Sequence, residues 1–414
     1  MKSLRKSKQE EGEESWKVGT VYEVERTKRT KNTFKFNVSV LLIIEMSSAD
    51  LDILDLDSGC QVTSSRDGRN RTREASLSQS VTSFGASLYR QLTSGNLDNL
   101  IFSPFSVFTV LSVGPQQGVH QTLHNAVASL PTSLDPDTNL TLRVANAAYY
   151  NPSRITVLPG FSRNIQRLYG GALKPFEDTN PEAAINSWVE QVTDGMIQNF
   201  LPPGHINSDT VLMLLNAVFF EGFWVNEFST GESDFTTANG TVVRVPMMHR
   251  SEGSISFKNI QALNAQVIEL PYKGNRFSLF LIMPNTWDGL MNLERRLDGQ
   301  PTVSAQLFLP KFRLSTGKEL NDHLKAMGLR TAFSRRADFR RISLRPLSIS
   351  KVIHKAIIEV TETGSRAAAV TSVELVLLSL PVQVNVNKPF VFILRDKTSG
   401  LNLFMGRVTD PSQE

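Results

Sequence analysis

The segment 362–389, with the sequence ETGSRAAAVTSVELVLLSLPVQVNVNKP, contains the residues of this chain with the clearest chemical use. Gly364 frees the backbone to hinge, because glycine lacks a Cβ atom. Ala367, Ala368 and Ala369 follow, and their small side chains would not obstruct insertion between two existing strands. An apolar run then ends at Leu378–Ser379. This order predicts a loop that a protease can cut and that can afterwards become a β-strand.

The side chains of this loop also alternate as a strand requires, since successive residues of a strand face opposite sides. One side is wholly small or apolar, whereas the charged Arg366 and Glu374 both fall on the other. The small or apolar side comprises Ser365, Ala367, Ala369, Thr371, Val373, Leu375 and Leu377. Such a segment suits a central gap in a sheet. On the pattern alone an ordinary edge strand followed by a loop is favoured, because period-two alternation is common in half-buried strands.

Eight short motifs occur along the rest of the chain in a fixed order. They are NLIFSPFS at 99–106, INSWV at 185–189, NAVFFEGFW at 216–224, VPMM at 245–248, LPKF at 309–312, VIHKA at 352–356, NKPF at 387–390 and FMGRV at 404–408. In these motifs and in their order, the chain resembles the serpin family of serine-protease inhibitors over about residues 77–411. The resemblance implies an α+β fold with a large central β-sheet, surrounding helices and an exposed reactive-centre loop at 362–389.

Periodicity independently predicts mixed helices and strands. Apolar residues at three- and four-residue spacing predict helices at 77–92 and 182–200, and Ser103–Pro104 predicts the start of another. Segments rich in β-branched and aromatic residues predict strands at 211–220, 277–283, 352–360 and 390–395. Helices precede most of the sheet without regular βαβ alternation, which favours an α+β domain at 77–411. Residues 1–76 are charged and are predicted to form an irregular, disordered extension.

Composition allows one sizeable core without disulfides or cofactors. The chain has 414 residues, 40% of them hydrophobic, and a formal net charge of +4. Cys60, the single cysteine, has no intramolecular partner, so we interpret it as a free thiol. No G-x-S-x-G, P-loop or H-E-x-x-H motif occurs, and His120 and His124 lack a third metal ligand. The sequence therefore predicts no enzyme activity, no metal and no cofactor.

Basic residues are unevenly distributed and form three clusters. Segments 2–8 and 28–35 lie in the predicted extension, where charge runs are usually solvated. A third cluster consists of Arg335, Arg336, Arg340, Arg341 and Arg345. A plain solvated face is the favoured interpretation of that cluster, and a glycosaminoglycan site is the alternative. Nucleic-acid binding is disfavoured, because no recognised nucleic-acid-binding motif accompanies the charge.

The N-terminal region favours secretion, with an intracellular protein as the alternative. The apolar stretch VSVLLII at 38–44 follows a basic segment and precedes the small residues SSA at 47–49, the order found in a signal peptide. This signal-like segment, near 36–49, is too short to span a membrane. It begins unusually far from Met1. Candidate N-glycosylation triplets start at Asn37, Asn70, Asn139 and Asn239, a number near chance for this composition.

The serpin resemblance also assigns roles to individual residues. A polar cluster beneath the central sheet, matched here by Ser103, Ser106, Asn216 and His354, controls whether the strands part. Trp224 matches a tryptophan near the top of that sheet, where the loop enters. The hinge comprises Gly364, Ser365, Arg366, Ala367, Ala368 and Ala369. Counting forward from Gly364 and backward from Pro389 both place the scissile bond at Leu378–Ser379.

The resemblance implies a monomeric inhibitor that is consumed in a covalent acyl complex with a serine protease. Leu378 suits the hydrophobic pocket of chymotrypsin-like proteases, and elastase-like targets remain an alternative. Ser365 and Arg366 depart from the family's usual hinge, and the regions 123–141 and 297–305 are shorter than in typical serpins. A non-inhibitory serpin acting as a carrier or chaperone is therefore the second hypothesis.

Overall fold

A computed structural model describes residues 66–112, 126–127, 130, 140–161, 163, 172–177, 179–250, 256–294, 306–364 and 383–413. All of these fall within the unit Val38–Glu414. Several predicted features lie outside the described residues: the signal-like segment, Cys60, His120 and His124, the hinge from Ser365 to Ala369 and the Leu378–Ser379 bond. The shortened region 297–305 and most of 123–141 lie outside them as well.

The described helices are α1 (Arg66–Leu92), α2 (Pro104–Leu111), α3 (Pro181–Val192), α4 (Leu290–Glu294) and α5 (Asn321–Ala326), with 3₁₀ turns at Gln261–Leu263 and Thr331–Phe333. The predicted helix at 77–92 is present, but it begins at residue 66. The expectation that residues 1–76 are irregular is therefore wrong for 66–76. These residues lack an apolar stripe, and helix formation extends cooperatively from the packed turns that follow. None of the described helices combines the length and apolar character needed to cross a membrane.

The predicted start of α2 at Ser103–Pro104 is confirmed. Ser103 is the N-cap, and its Oγ accepts a hydrogen bond from the backbone N–H of Ser106 at 3.3 Å. Pro104 occupies the first turn, where its missing N–H costs nothing. Every residue of α2 is buried. The cap therefore fixes the start of a helix that lies wholly inside the core.

Helix α3 ends at Val192, so the prediction of a helix to residue 200 is wrong. Asp194 and Gly195 have positive φ angles of 56° and 77°, which end the helix. Ile197 and Phe200 are nevertheless buried in the same apolar cluster as the helix. Their spacing imitates a helical stripe because a compact turn brings them back onto the same surface.

The described strands form three sheets. The strands are β1 (Leu100–Phe102), β2 (Thr141–Tyr150), β3 (Ala172–Pro175), β4 (Leu212–Glu221), β5 (Ser229–Thr236), β6 (Val242–Arg250), β7 (Ser256–Ile260), β8 (Ala265–Pro271), β9 (Phe277–Pro284), β10 (Gln306–Pro310), β11 (Phe312–Glu319), β12 (Lys351–Val360), β13 (Gln383–Asn385), β14 (Phe390–Asp396) and β15 (Asn402–Val408). Their orders are β1-β15-β14-β9-β8-β7, β13-β10-β6-β5 and β11-β12-β4-β2-β3. The four predicted strands are confirmed as β4, β9, β12 and β14. Strands β1 to β3 precede α3, so helices and sheet are less segregated along the chain than predicted.

In the five-stranded sheet, β4 and β12 contribute side chains to apolar clusters on both faces. Alternate residues of β12, such as Val352, Ala356 and Ile358, join the large core that also contains α2. The intervening Ile353 and Ile357 join a smaller cluster with Ile185 and Val189 of α3. Strand β4 divides its side chains between the two clusters in the same way. This double coverage explains why β4 is a nearly continuous apolar run in the sequence.

One joint of this sheet differs from its neighbours. Strand β12 pairs with β4 in parallel, from Lys351 opposite Met213 to Ile357 opposite Phe219. On either side, β11 is antiparallel to β12 and β2 is antiparallel to β4. A parallel pair is slightly less stable per residue than an antiparallel pair. We refer to the β12–β4 pair as the parallel joint.

Candidate functional site

A chain of buried polar side chains crosses the parallel joint at its middle. The strand register places His354 of β12 opposite Asn216 of β4, and Asn216 opposite Asn146 of β2. Ser103, at the start of α2, lies against the same point of the sheet. All four residues are buried. We call Ser103, Asn146, Asn216 and His354 the central chain.

The hydrogen bonds of the central chain run in one direction. The backbone N–H of Ser103 donates to Nε2 of His354 at 3.0 Å. Because Nε2 accepts this bond, the proton of the neutral imidazole lies on Nδ1, which donates to Oδ1 of Asn216 at 2.6 Å. Nδ2 of Asn216 then donates to Oδ1 of Asn146 at 2.6 Å. The parallel joint is therefore bridged by a side-chain hydrogen bond in addition to its backbone ladder.

His354 must be neutral for this arrangement to exist. Burial lowers the pKa of His354 to about 3, and its hydrogen bond to Asn216 opposes that shift only partly. A protonated imidazole would have no lone pair to accept the N–H of Ser103. It would also be a charge in a buried site without a carboxylate among its hydrogen-bond partners.

A second set of contacts closes the joint at its upper end, where β4 ends and β12 leads into the loop. The indole N–H of Trp224 donates to the carbonyl of Thr361 at 2.9 Å, and its backbone N–H donates to the carbonyl of Thr363 at 3.0 Å. The Trp224 ring is 1% exposed and stacks on Tyr272 with 4.3 Å between centroids. Trp224 therefore ties the residues after β12 to those after β4.

Gly364 completes this upper contact by close backbone approach. It forms an antiparallel bridge with Phe223 and has a φ of +145°. A Cβ atom at this position would collide with the carbonyl oxygen of Gly222 and with Cα of Phe223. The sequence predicts Gly364 as a hinge because glycine is flexible. The structure supplies a second reason for glycine, which is the lack of space for any side chain.

Glu362 adds an ion pair to the upper contact. Its Oε2 lies 3.0 Å from Nζ of Lys311, and its Oε1 accepts a hydrogen bond from Oγ1 of Thr230 at 3.2 Å. Burial alone would raise the pKa of Glu362, but hydrogen bonds and the charge of Lys311 bring the pKa below its ordinary value. The carboxylate is therefore held in its charged form. We call Trp224, Lys311, Thr361, Glu362 and Gly364 the upper contact.

The structure thus divides the predicted sheet-opening residues between two places. It brings Ser103, Asn216 and His354 together, and Ser106 contributes its backbone N–H to the Ser103 side chain. Trp224 contacts Thr361, which lies seven residues beyond His354, or roughly 23 Å along an extended strand. Three further residues of these places were not predicted from the sequence: Asn146, Lys311 and Glu362. The motif LPKF contains Lys311 and was the available signal for it.

The other predicted surface residues fall on separate parts of the chain. Arg335, Arg336, Arg340, Arg341 and Arg345 are all exposed, on the segment between the Thr331–Phe333 turn and β12. Asp338 is the only acidic residue in segment 331–350, and hydrogen bonds from Arg340 lower its pKa to about 2. Of the candidate glycosylation residues, Asn239 is exposed, Asn70 lies within α1, and Asn37 and Asn139 lie outside the described residues.

Comparisons with known proteins agree with this architecture. A family model described as Serpin (serine protease inhibitor) matches residues 79–411. Serpin B4 of Homo sapiens is 31% identical over 390 residues, which cover 81% of this chain and 100% of that protein. The structure of Serpin48 of the insect Tenebrio molitor superposes with a TM-score of 0.73 at 27% identity, covering 84% of this chain and 100% of that one. Human thyroxine-binding globulin superposes with a TM-score of 0.74 at 24% identity over 83% of this chain and 100% of that one. These superpositions confirm the fold class predicted from the sequence.

The low pKa of His354 predicts that the folded protein loses stability in acid. In the unfolded chain His354 takes up a proton as pH falls below its ordinary value of 6.5, whereas in the folded chain it stays neutral until about 3. The difference lowers the free energy of unfolding by about 2 kcal/mol between about pH 7.5 and about pH 5. Urea unfolding at several pH values in this interval measures the change in the free energy of unfolding. His354→Gln keeps an acceptor and a donor but does not titrate, so its pH dependence should be flatter by that amount.

His205→Gln is the matched control for this measurement. The pKa of His205 is also lowered by burial, but this residue is only half-buried and is no part of the central chain. Replacing His205 should change the pH dependence of the free energy of unfolding less than replacing His354 does. An unchanged slope in His354→Gln would contradict the assignment of a buried neutral imidazole.

The close approach at Gly364 predicts that a single methyl group weakens the upper contact. Gly364→Ala should lower the free energy of unfolding by about 1–3 kcal/mol, the usual cost of forcing extra volume into a packed site. Gly160→Ala is the control, because a Cβ atom at Gly160 meets nothing within 4 Å. Denaturant midpoints of the two variants measure the difference. Similar midpoints would show that the chain at Gly364 can move aside without loss.

Proposed function

Because this chain belongs to the serpin family, we propose that it is an irreversible suicide-substrate inhibitor of serine proteases of the chymotrypsin-like or elastase-like class. The proposal places the scissile bond at Leu378–Ser379. It assigns the freed loop to a new position between β12 and β4. Each inhibitor molecule would trap one protease molecule and be consumed with it, and the protease would not turn the inhibitor over as a substrate. The sequence features of a signal peptide favour action outside the cell.

The parallel joint is the observation that carries this proposal. A strand placed between β12 and β4 would be antiparallel to both, because the loop leaves the end of β12 and must reverse direction to pair with it. One parallel pair would be replaced by two antiparallel pairs. The inserted segment would become the central strand and would form backbone hydrogen bonds along both of its edges. Separation of β12 from β4 would therefore open a strand position of the correct polarity for the loop.

The bridge between Gly364 and Phe223 suggests the register of insertion. Continuing this antiparallel pairing, each step forward along the loop moves one step back along β4. Ala367 would lie opposite Phe220, Ala369 opposite Val218 and Thr371 opposite Asn216. Phe220 and Val218 belong to the large core, and residues directly opposite in an antiparallel pair share a face.

This register agrees with the alternation in the loop sequence. The small or apolar side would face the large core, which admits no charge. Arg366 and Glu374 would face the side of the sheet that carries α3. Thr371 would reach the central chain at Asn216. Its hydroxyl group can both donate and accept a hydrogen bond there.

The proposed chemistry begins as an ordinary acyl transfer. The target's serine oxygen attacks the carbonyl carbon of Leu378, the bond to the nitrogen of Ser379 breaks, and that nitrogen takes up a proton. The product is an ester between the protease and the loop. Insertion of the segment ending at Leu378 then carries the tethered protease along and distorts its active site before water can hydrolyse the ester. The energy comes from completing the sheet.

Leu378 sets the proposed target class. A large apolar side chain fits a hydrophobic pocket, whereas a trypsin-like pocket would be left with an unpaired buried carboxylate. Neighbouring Leu375, Leu377 and Leu380 are also apolar, so adjacent bonds offer the same class of protease an alternative cleavage point.

A non-inhibitory role as a carrier or chaperone is the second candidate. One superposed structure, thyroxine-binding globulin, is by its name a binding protein. The side of the loop that would face the large core is free of bulky, charged and proline residues over 365–373, which favours insertion and therefore the inhibitory role. The departures at Ser365 and Arg366 do not add bulk or charge to the side that would face the core. Ser365 is small, and Arg366 belongs to the other side.

A polyanion is the second proposed partner. The arginine segment 335–345 offers five exposed guanidinium groups against one carboxylate, which is already engaged by Arg340. Guanidinium groups bind sulfate and phosphate oxygens through paired hydrogen bonds. A glycosaminoglycan would match several such groups on one exposed segment.

Mixing the protein with chymotrypsin should give a covalent complex that survives a denaturing gel, with the summed mass of both proteins less the released fragment 379–414. Leu378→Arg should abolish this band with chymotrypsin and produce it with trypsin, because the protease pocket recognises mainly this side chain. Association rates measured with both proteases quantify the change. Wild-type protein that is cut without a covalent band would favour the carrier role. An unchanged protease preference in the variant would place the scissile bond elsewhere.

The two sides of the loop should respond differently to the same substitution. Ala367→Arg would bury an unpaired charge against the large core on insertion, so the loop should stall and the ester should hydrolyse. The protease is then released, and the inhibitor becomes a substrate. Ala368→Arg is the matched control, since it places the same side chain on the side that already carries Arg366. Moles of inhibitor consumed per mole of protease inactivated should rise severalfold for the first variant and little for the second. Equal values would disprove the proposed alternation.

A further inference from the structure

We propose that Asn239 is an N-glycosylation site and that the first sugar of its glycan rests on the indole ring of Trp287. The inference rests on the proposed secretory route, because the modifying enzyme acts there. Asn239 is far in sequence from the loop, and its modification would be covalent.

The triplet at 239–241, Asn-Gly-Thr, forms the tip of the hairpin that joins β5 to β6. The backbone N–H of Thr237 donates to the carbonyl of Thr241 at 2.8 Å, and that of Gly240 donates to Thr237 at 2.9 Å. Gly240 has a φ of +84°, which glycine tolerates best. Asn239, Gly240 and Thr241 are all exposed. The acceptor residue is therefore held outward on a tight turn.

The amide group of Asn239 is oriented for modification of its nitrogen. Its Oδ1 accepts a hydrogen bond from the backbone N–H of Thr241 at 3.1 Å and another from Oγ1 of Thr237 at 2.5 Å. A backbone N–H can only donate, so the atom facing Thr241 must be the amide oxygen. Among the described hydrogen bonds, none uses Nδ2 of Asn239. The turn thus occupies the oxygen and leaves the nitrogen that a glycan requires.

Trp287 supplies an aromatic surface against Gly240, the residue that follows Asn239. Its side chain is 46% exposed, although a tryptophan is normally among the most buried of residues. The indole lies over Gly240, whose hypothetical Cβ atom would meet the ring at 3.3 Å. Glycine therefore brings the ring close to the backbone next to Asn239. The apolar face of a hexose can cover such a ring, and this would remove from water an aromatic surface that the protein leaves exposed.

The chemistry needs a lipid-linked oligosaccharide diphosphate as the sugar donor. Nδ2 of Asn239 forms a bond to the anomeric carbon, and the bond from that carbon to the diphosphate oxygen breaks. The diphosphate lipid leaves with the electron pair, and Nδ2 loses one proton. The hydroxyl group of Thr241, two residues on, is the part of the triplet that the modification requires.

The test uses the full chain, produced in cultured eukaryotic cells with an added secretory leader so that it enters the route with certainty. Release of the glycan by an N-glycosidase in heavy-oxygen water should leave a labelled aspartate at position 239, detected by peptide mass spectrometry. Asn239→Gln and Thr241→Val should each remove that label. Thr241→Val keeps the backbone N–H that orients the amide. An unlabelled position 239 in the secreted wild-type chain would overturn the proposal.

The role of Trp287 is tested separately on the folded, glycosylated protein. Trp287→Ala should leave the glycan attached but increase severalfold the rate at which an endoglycosidase cuts next to the first sugar. Leu344→Ala, which removes an exposed apolar side chain on another segment, is the control and should leave that rate unchanged. Equal rates in wild type and Trp287→Ala would refute the stacking. Covalent complex formation with chymotrypsin is assayed on the same samples, so failure of the inhibitory proposal is seen independently.

Discussion

The parallel pairing of β12 with β4 is the constraint on which the rest of this structure depends. It leaves the middle of the five-stranded sheet with a joint that a single additional strand of opposite direction would complete. The segment that could supply this strand follows directly from the end of β12. Contacts that act across this joint would therefore oppose the entry of that strand. The central chain and the upper contact both do so.

These two sets of contacts resist separation by different physical means. The central chain uses buried hydrogen bonds between neutral groups, each of which contributes about 1 kcal/mol net but costs more when one partner is left unpaired. The upper contact combines the fit of Gly364 against Phe223 with the ion pair of Glu362 and Lys311. A loop entering from the end of β12 would meet the upper contact first. The central chain would then offer new partners to the residue that arrives at Asn216.

Much of this arrangement was predictable, and the exceptions have identifiable causes. Ser103–Pro104 predicted the start of α2 because capping and first-turn geometry are local properties. Ser103, Asn216 and His354 stand in serpin-like motifs, so the resemblance placed them in one cluster. Asn146 was missed because it lies in β2, a strand without a recognised motif, and only the register with Asn216 reveals it.

The remaining errors arose where tertiary contacts decide the outcome. Ile197 continues the apolar spacing of α3 although the backbone has left the helix. Glu362 was treated as the start of a loop, since its partner Lys311 is distant in sequence and only the fold brings them together.

A strand position that opens at the parallel joint would have a further consequence for how the protein behaves in a crowded solution. A slot of this kind selects a strand by its direction and its small side chains, and it does not distinguish the chain's own loop from that of a neighbouring molecule. The chain's own loop competes at an effective concentration of about millimolar, whereas a neighbour competes at its bulk concentration. Insertion of the chain's own loop would therefore outcompete insertion of a neighbour's loop in dilute solution. Conditions that separate β12 from β4 while the loop remains uncut would favour linkage of one molecule to the next.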